Sequence, residues 1–422
     1  MSVKFLHAAD VHLDSPLRGL ERFEDAPVEA IRGATRHALE NLVKLAIDEE
    51  VAFVLLAGDL YDGDWKDYNT GLFFIQQMVK LKDADIPVYM ISGNHDAASQ
   101  ISRVLRLPEN VHHFSSKKAQ THVLGDLDVA IHGQSFASRA VTTDLSADYP
   151  QALPDHFNIG LLHTSLNGRP GHEPYAPCSL AGLRSKRYQY WALGHVHARE
   201  VVCEDPWIVF PGNIQGRHAR EIGPKGCTLV RVVAKEVDSV EHRDLDVLRW
   251  SLCPVDLTGA TTGGEVLDIT SRVLEREMEQ APDRPLAVRL QLEGVCGVHQ
   301  KLRAQPEHWT QQIRALASNV GGGELWVEKV LFRTERERDI KEALARGDGL
   351  GELLRAIGTL ESGADGLEDL AGTFEDLKGS LPAELIAHQD VHDPTDPETL
   401  RDALQQAKDL LLSRLLTSEE KS

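Results

Sequence analysis

No apolar stretch in the sequence reaches the roughly 18 residues that a membrane-crossing helix requires, so no transmembrane segment is expected. Nor does the N-terminus read as a secretion signal. Val3-Lys4-Phe5-Leu6-His7-Ala8-Ala9 has the pattern of a strand, and no longer apolar region or cleavage site follows it. Cysteine is scarce. Cys178, Cys203, Cys227, Cys253 and Cys296 are odd in number, far apart and without a C-x-x-C pair. That argues against a disulfide or zinc-thiolate framework and for a reducing cytoplasm. Positive charge is also short: 45 Lys and Arg stand against 65 Asp and Glu, a net charge of −20. A nucleic-acid coat would be basic, so that class is disfavoured. The deficit is uneven, however. Residues 336–422 carry 20 acidic and 10 basic side chains, half of the excess. Part of the rest lies in acidic metal-ligand candidates, whose charge a bound dication neutralises, so a local basic patch is compatible with the total. There is no fixed-period repeat and no long low-complexity tract.

What is present is ample core material. Of 422 residues, 42% are hydrophobic and 6% aromatic, enough for two or three domains. Residues 3–9 are apolar without alternation, the pattern of a strand covered on both faces, and Asp10 and His12 come at its end. Residues 27–50 have helical apolar spacing (Val28, Ile31, Leu39, Leu42, Leu45, Ala46). A second buried strand, 51–56, runs into Gly58-Asp59-Leu60-Tyr61-Asp62. A helix over 68–82 precedes a third strand, 86–91, which ends in Ser92-Gly93-Asn94-His95-Asp96. Strand, helix, strand, helix, strand predicts an α/β sheet, which binds ligands at the carboxyl ends of its strands.

The middle of the chain is richer in β pattern. Strands are expected over 128–133, over 158–162 into His163, and over 190–193 into Gly194-His195-Val196-His197. Segments 201–203, 207–210 and 227–233 read as further consecutive strands, which suggests a second sheet packed on the first. From about Trp250 the pattern changes to a small α+β unit. It has helices over 263–280 and 306–317 and strands over 285–292 and 324–332. A mostly helical tail follows, broken by Gly347, Gly349, Gly351, Gly363 and Gly366. Its last helix, 398–416, carries Leu400, Leu404, Ala407, Leu410, Leu411 and Leu415. The expected domains are 1–245, 246–335 and 336–422.

The groups at the strand ends suit two divalent cations and a phosphate ester. Two cations about 3.5–4 Å apart can clamp the attacking and leaving oxygens of a phosphoryl displacement. Asp59 is the candidate for the bridging carboxylate. Asp10 and His12, two apart on one turn, can reach one cation. His195 and His197 are also two apart and can point to different cations. Asn94 offers a neutral amide oxygen, and His163 completes the second site. Oxygen and imidazole ligands without thiolate suit Mn²⁺, Fe²⁺ or Zn²⁺, with Mg²⁺ a poorer match to the histidines. His95 is placed to donate a proton to the leaving oxygen or to hydrogen-bond a phosphate oxygen. Asp96 is placed to orient His95 or a ligand histidine.

D-x-H, G-D-x-x-D, G-N-H-D, a lone His after a strand and G-H-x-H occur in the order and spacing of the calcineurin-like metallophosphoesterases, which the first 240 or so residues resemble. Leu6-His7-Ala8-Ala9-Asp10-Val11-His12-Leu13, Ala57-Gly58-Asp59-Leu60-Tyr61-Asp62 and the added C-terminal units resemble the bacterial SbcD/YhaO type of DNA repair exonuclease within that family. The resemblance implies a two-sheet, four-layer α-β-β-α domain with an α+β cap that contacts DNA. It implies a Mn²⁺-dependent nuclease acting on DNA ends, a homodimer, and a helical C-terminal segment that binds an SbcC-like coiled-coil ATPase. It assigns Asp10, His12, Asp59 and His197 to one metal, and Asp59, Asn94, His163 and His195 to the other, with His95 catalytic. Asp62 stands where some archaeal and eukaryotic relatives carry a histidine, so that additional histidine is absent.

Each ligand taken alone has a blander reading. Asp10 by itself is a cap or turn residue, and His163 a satisfied core histidine; the joint pattern is what favours a metal site. His7, His132 and His172 match no motif and are read as structural. Arg217, His218 and Arg220 lie on a loop that either meets phosphate or is solvated surface. Trp207 and Phe210 are read as core. The leucine stripe of the last helix packs on this chain or on a partner. Two rival functions remain: a phosphatase or cyclic-nucleotide phosphodiesterase with the same metals, and a mainly structural subunit of an ATPase complex.

Overall fold

The computed structural model describes residues 2–15, 28–62, 68–98, 106–166, 175–282 and 284–336, with short pieces between 352 and 404. The chain begins with β1 (Ser2–Ala8), α1 (Val28–Asp48), β2 (Phe53–Ala57), α2 (Tyr68–Asp83), β3 (Val88–Ile91), the short α3 (Asn94–Ala98) and β4 (Val111–His113). There follow β5 (Gln120–Leu124), β6 (Val129–Gly133), β7 (Phe157–His163), α4 (Leu180–Ser185), β8 (Tyr190–Gly194), β9 (Glu200–Glu204), β10 (Trp207–Phe210), β11 (Gly226–Val233) and β12 (Glu236–Asp244). These strands form two six-stranded sheets, ordered β12-β11-β1-β2-β3-β4 and β5-β6-β7-β8-β10-β9. In the first, β1, β2, β3 and β4 run parallel. In the second, β6, β7, β8 and β10 do.

The period-2 alternation of a strand explains the layering. Val3, Phe5, Phe53, Leu55, Tyr89 and Ile91 from the first sheet meet Val129, Ile131, Phe157, Ile159, Tyr190 and Ala192 from the second in one buried cluster. The intervening residues, Leu6, Ala8, Val54, Leu56, Val88 and Met90, pack instead against Ala38, Leu39, Leu42, Val43 and Ala46 of α1 and Phe74, Met78 and Leu81 of α2. On the far side, Leu162, Trp191, Leu193 and Phe210 are covered by Tyr149, Leu166 and Leu183. Both faces of each central strand are thus apolar, which is why the strands read as unbroken runs.

One expectation is corrected. The segment 227–233 does not extend the second sheet; β11 pairs antiparallel with β1 in the first, with Phe5 opposite Val230. Its two faces serve both cores, Val230 and Val232 the inter-sheet cluster and Cys227 and Leu229 the helix side. Only a central position buries both.

Two compact units emerge from the fold. The first comprises Met1–Leu252, Glu277–Arg289 and Gly321–Glu328, and it contains all of the candidate site. The second comprises Cys253–Arg276, Leu290–Val320 and Lys329–Ser422. A third sheet, of β13 (Arg249–Asp256), β14 (Leu286–Val295) and β15 (Leu325–Glu335), accompanies α5 (Gly263–Gln280), α6 (His299–Ala304) and α7 (Pro306–Gly321). The tail over 336–422, with its leucine-bearing helix, lies almost wholly outside the described residues; the pieces at 371–374 and 399–401 are helical. No helix among the described residues is long and apolar enough to cross a membrane. All five cysteines are free.

His7 and His132 are both held in the interior. His132 sits between Thr121 and Asn158. His7 lies 3.0 Å from the Tyr190 hydroxyl and 3.1 Å from the Leu193 carbonyl. His172 lies outside the described residues. Burial drives the His7 pKa down to about 3, against a smaller upward pull from the Leu193 carbonyl. An unfolded histidine titrates near 6.5, so below that pH only the unfolded chain takes up this proton. Stability supplied by neutral His7 is therefore complete above about 6.5 and is lost as pH falls towards about 3. The urea midpoint of the wild type should drop more between pH 7.5 and pH 5 than that of His7→Gln. Equal drops would refute the assignment.

Candidate metal centre

Every residue expected at the site lies at or just beyond the carboxyl end of a strand in the two sheets. Asp10 and His12 follow β1, Asp59 follows β2, and Asn94 and His95 follow β3. His163 ends β7, and His195 and His197 follow β8. Parallel pairing brings the strand ends level, with Ala57 beside Ile91 and His163 beside Gly194. Backbone hydrogen bonds then stitch the loops: Asp10 N to Gly58 O (3.0 Å), His12 N to Asp59 O (3.0 Å) and Thr164 N to Gly194 O (3.1 Å). Four of these residues, Asp10, His12, Asp59 and His195, have φ of 50°, 44°, 51° and 101°. Left-handed backbone at non-glycine residues is costly and persists where its surroundings over-determine it, a condition that functional loops often meet.

Two motif glycines are required by close approach. A Cβ at Gly93 would strike Asp59 Oδ1 and come within 2.8 Å of His163 Cε1. A Cβ at Gly194 would strike the Ala57 carbonyl oxygen and come within 2.9 Å of His163 Nδ1. Gly93→Ala should therefore cost about 1–3 kcal/mol of stability, as overpacking does, and should weaken divalent-metal binding. Thermal unfolding and Mn²⁺ titration check this; wild-type values in both would contradict it.

Two groups of three side chains have ligand atoms within 4.8 Å of one another: Asp10, His12 and His197, and Asp59, His163 and His195. Asn94 joins the second, its Oδ1 lying 3.0 Å from His163 Nε2. A third group, His12, Asp62 and His95, shares His12 with the first. The donor chemistry fits cations. His163 Nδ1 lies 2.8 Å from the Ala57 carbonyl, which can only accept, so Nδ1 carries a proton. Nε2 faces Asn94 Oδ1 and, at 3.4 Å, Asp59 Oδ2, so the proton these acceptors hold on the ring is the one that a cation would displace. In the first group His12 Nε2 and His197 Nε2 face each other at 3.2 Å. His12 Nδ1 is buried without a hydrogen-bond partner.

The charges are strongly coupled. Burial pushes the Asp59 carboxyl upward, but His163, His95 and His12 outweigh it and hold Asp59 well below the usual carboxylate range. Burial depresses His163 less than Asp59 and Asp10 raise it, leaving it at about 9. Burial, with Asp59 adding to it, raises Asp10 to about 7 and Asp96 to about 6. The same crowding of buried acids that disfavours their ionisation favours a bound cation.

Residues 3–199 match the calcineurin-like phosphoesterase family, and residues 250–335 match the middle domain of the metallophosphoesterase YhaO. The chain is 35% identical over 296 residues to the uncharacterized metallophosphoesterase YhaO of Bacillus subtilis (strain 168), covering 69% of this chain and 72% of that one. This chain belongs to the calcineurin-like metallophosphoesterases, in their YhaO branch. DNA double-strand break repair proteins named Mre11 are more distant. The Sulfurisphaera tokodaii protein is 24% identical over 261 residues, covering 58% of this chain and 63% of that one. The Haloferax volcanii protein is 25% identical over 280 residues, covering 66% of this chain and 59% of that one. Calcineurin-like phosphoesterases use a dinuclear divalent-metal site, and the two ligand groups above are its candidates in this chain.

Around these ligand candidates the metallophosphoesterase places further charged residues. Asp62 Oδ1 lies 3.2 Å from His95 Nδ1, and Asp62 Oδ2 accepts from Ser15 Oγ at 2.8 Å. Asp96 accepts from the backbone N–H of Leu60, Tyr61 and Gly93 and so ties the β2 and β3 loops together. Glu221 lies 2.7 Å from His197 Nδ1. Two members of the 217–220 loop reach Glu221, Arg217 at 3.1 Å and His218 at 3.5 Å, and Arg217 also lies 3.9 Å from Asp62. His95 differs from the other histidines in its surroundings. Its side chain is 29% exposed, against 0% for His12 and His163. Burial lowers its pKa, but the hydrogen bond to Asp62 and the charges of Asp59 and Asp62 raise it overall. Phe210 is buried, and Trp207 packs partly buried against the inter-sheet core.

Proposed function

We propose that this metallophosphoesterase is a Mn²⁺-dependent phosphodiesterase that hydrolyses DNA, acting as an exonuclease at DNA ends in repair. When bound, two divalent cations lower the pKa of a water and offset charge growing on the phosphoryl oxygens. Asp10, His12, Asp59 and His197 would hold one, and Asp59, Asn94, His163 and His195 the other. The all-oxygen and imidazole donor set favours Mn²⁺, with Fe²⁺ or Zn²⁺ as alternatives.

The observation that carries the hydrolytic reading is His95. Asp62 Oδ1 lies 3.2 Å from its Nδ1, which orients the ring and favours its protonated form. Nε2 is left to donate a proton to the leaving oxygen from a partly exposed position beside Asn94. DNA as the substrate is supported by the likeness to the Mre11 repair proteins. Labelled duplex and single-stranded DNA, bis-p-nitrophenyl phosphate and p-nitrophenyl phosphate, each with Mn²⁺, provide the test. Cleavage of DNA and of the diester is expected; monoester hydrolysis without DNA cleavage would sink the nuclease reading.

The same reading assigns residues 1–245 to catalysis and 246–335 to a DNA-contacting cap. It assigns 336–422 to docking of an SbcC-like coiled-coil ATPase, with two copies of the chain in a cytoplasmic complex. Deleting the residues beyond 336 should abolish co-purification with such an ATPase and spare diester hydrolysis; retained co-purification would remove the docking assignment.

A further inference from the structure

The loop between β10 and β11, Pro211-Gly212-Asn213-Ile214-Gln215-Gly216-Arg217-His218-Ala219-Arg220-Glu221, brings a buried carboxylate behind one ligand candidate. Glu221 Oε1 lies 2.7 Å from His197 Nδ1. Glu221 Oε2 accepts from Arg217 N at 2.7 Å and from Asn213 Nδ2 at 2.9 Å. With one oxygen anchored on its own loop, the carboxylate can present the other in only one direction.

We infer that Glu221, braced by Arg217, is a positioning residue that fixes the tautomer and ring orientation of His197. The inference rests on the proposed reading of His197 as a metal ligand. An ionised carboxylate only accepts, so Nδ1 of His197 must carry the proton and Nε2 must keep its lone pair. That Nε2 is the atom facing His12 Nε2 at 3.2 Å. Arg217 NH2 also lies 3.2 Å from His197 Nδ1, but Nδ1 cannot donate to Glu221 and accept from Arg217 at once. The shorter contact and the negative charge decide for Glu221. Arg217 NH2 then donates to Glu221 Oε1 at 3.1 Å and offsets its buried charge. Lys225 Nζ donates to the His197 carbonyl at 3.0 Å, so ring and main chain are both held. The other end of the guanidinium points to Asp62, the carboxylate against His95, at 3.9 Å. One arginine thereby spans the acids behind a ligand and behind the proton donor. Oε1 also meets Arg217 and, at 3.5 Å, His218 Nε2 from its own loop, but its shortest contact is the imidazole of the ligand candidate, at 2.7 Å.

The test is Mn²⁺ titration by calorimetry of the metal-stripped full chain, for wild type, Glu221→Ala, Glu221→Gln and His197→Ala. Glu221→Ala should weaken binding of one ion about 10- to 100-fold, the usual effect of removing the partner of a ligand histidine. Glu221→Gln keeps the shape but not the charge and should lose about 10-fold. It carries the test if circular dichroism finds Glu221→Ala unfolded. Wild-type affinity in a folded Glu221 variant, with His197→Ala weakened, would overturn the positioning role alone. Wild-type affinity in His197→Ala would overturn the ligand reading beneath it.

Discussion

His95→Ala should lower turnover of a DNA or diester substrate about 10²- to 10⁴-fold, the usual contribution of a placed general acid, and should leave Mn²⁺ binding near the wild-type level. Two features separate His95 from the ligand candidates. It belongs to neither of the compact sets around Asp10 and Asp59, but to a third with His12 and Asp62. Its side chain reaches the surface, at 29% exposure, while Asp59, His163 and His197 stand at 2%, 0% and 19%. A ligand needs a lone pair and a fixed distance. A proton donor needs a proton and access to the leaving oxygen, and the contact with Asp62 at 3.2 Å supplies the first. His95→Gln sharpens the test, because its amide can still hydrogen-bond phosphate but cannot protonate the leaving oxygen. Equal loss in both variants supports proton transfer, whereas full rescue by Gln supports a hydrogen bond to phosphate. Loss of an equivalent of Mn²⁺ in His95→Ala would instead make the third group a metal site. Wild-type turnover would remove His95 from the chemistry.

The site was legible because of how its strands are buried. β1, β2, β3, β7 and β8 are covered on both faces, so each reads as an apolar run that stops abruptly. Asp10, Asp59, Asn94, His163 and His195 stand at those stops. The placement of β11 was not legible, since neighbouring strands in sequence need not be neighbours in a sheet. β12 was missed for a different reason. Its sequence, Glu236-Val237-Asp238-Ser239-Val240-Glu241-His242-Arg243-Asp244, is polar because it is an edge strand. The turn before it uses Ala234 and Lys235 at φ of 52° and 69°, without the Asn-Gly or Asp-Gly that signals a two-residue hairpin. Asp62 was visible as the last residue of G-D-x-x-D but without a role, and Glu221 not at all. No local pattern marks a loop carboxylate as buried. Glu221 acquires its place only when β8 and β11, in different sheets, bring His197 and the 213–225 loop together.

Asp59→Asn should cost about 10³-fold or more in activity, because several kcal/mol of charge stabilisation depend on the site it anchors. The metal-stripped variant should be less stable than the metal-stripped wild type at neutral pH, because the surrounding histidines hold the Asp59 carboxyl well below the usual range and so favour its charge in the fold. Asp59 Oδ1 accepts from His95 N at 2.9 Å, and Oδ2 lies 3.4 Å from His163 Nε2. An asparagine fills the same volume, and its carbonyl can keep one of these contacts. It cannot supply a carboxylate to two cations. In the metal-stripped state the charge is a net gain, because His163, His95 and His12 outweigh the cost of its burial. After burial itself, Asp59 is the main cause that raises Asp96, and it adds to the rise of Asp10. Removing it relieves that repulsion among buried acids, which offsets only part of the lost attraction to the histidines. Metal adds to the gain. A ligand at 100 times its Kd stabilises a fold by about 2.7 kcal/mol, and only the intact site can collect this for both ions. Unfolding midpoints in chelator and in excess Mn²⁺ therefore separate the two terms. The variant should fall below the wild type in chelator and gain little on adding Mn²⁺. An equal Mn²⁺-induced rise in both proteins would show that Asp59 holds no metal, and a variant as stable as the wild type in chelator would show that the histidines do not favour its charge.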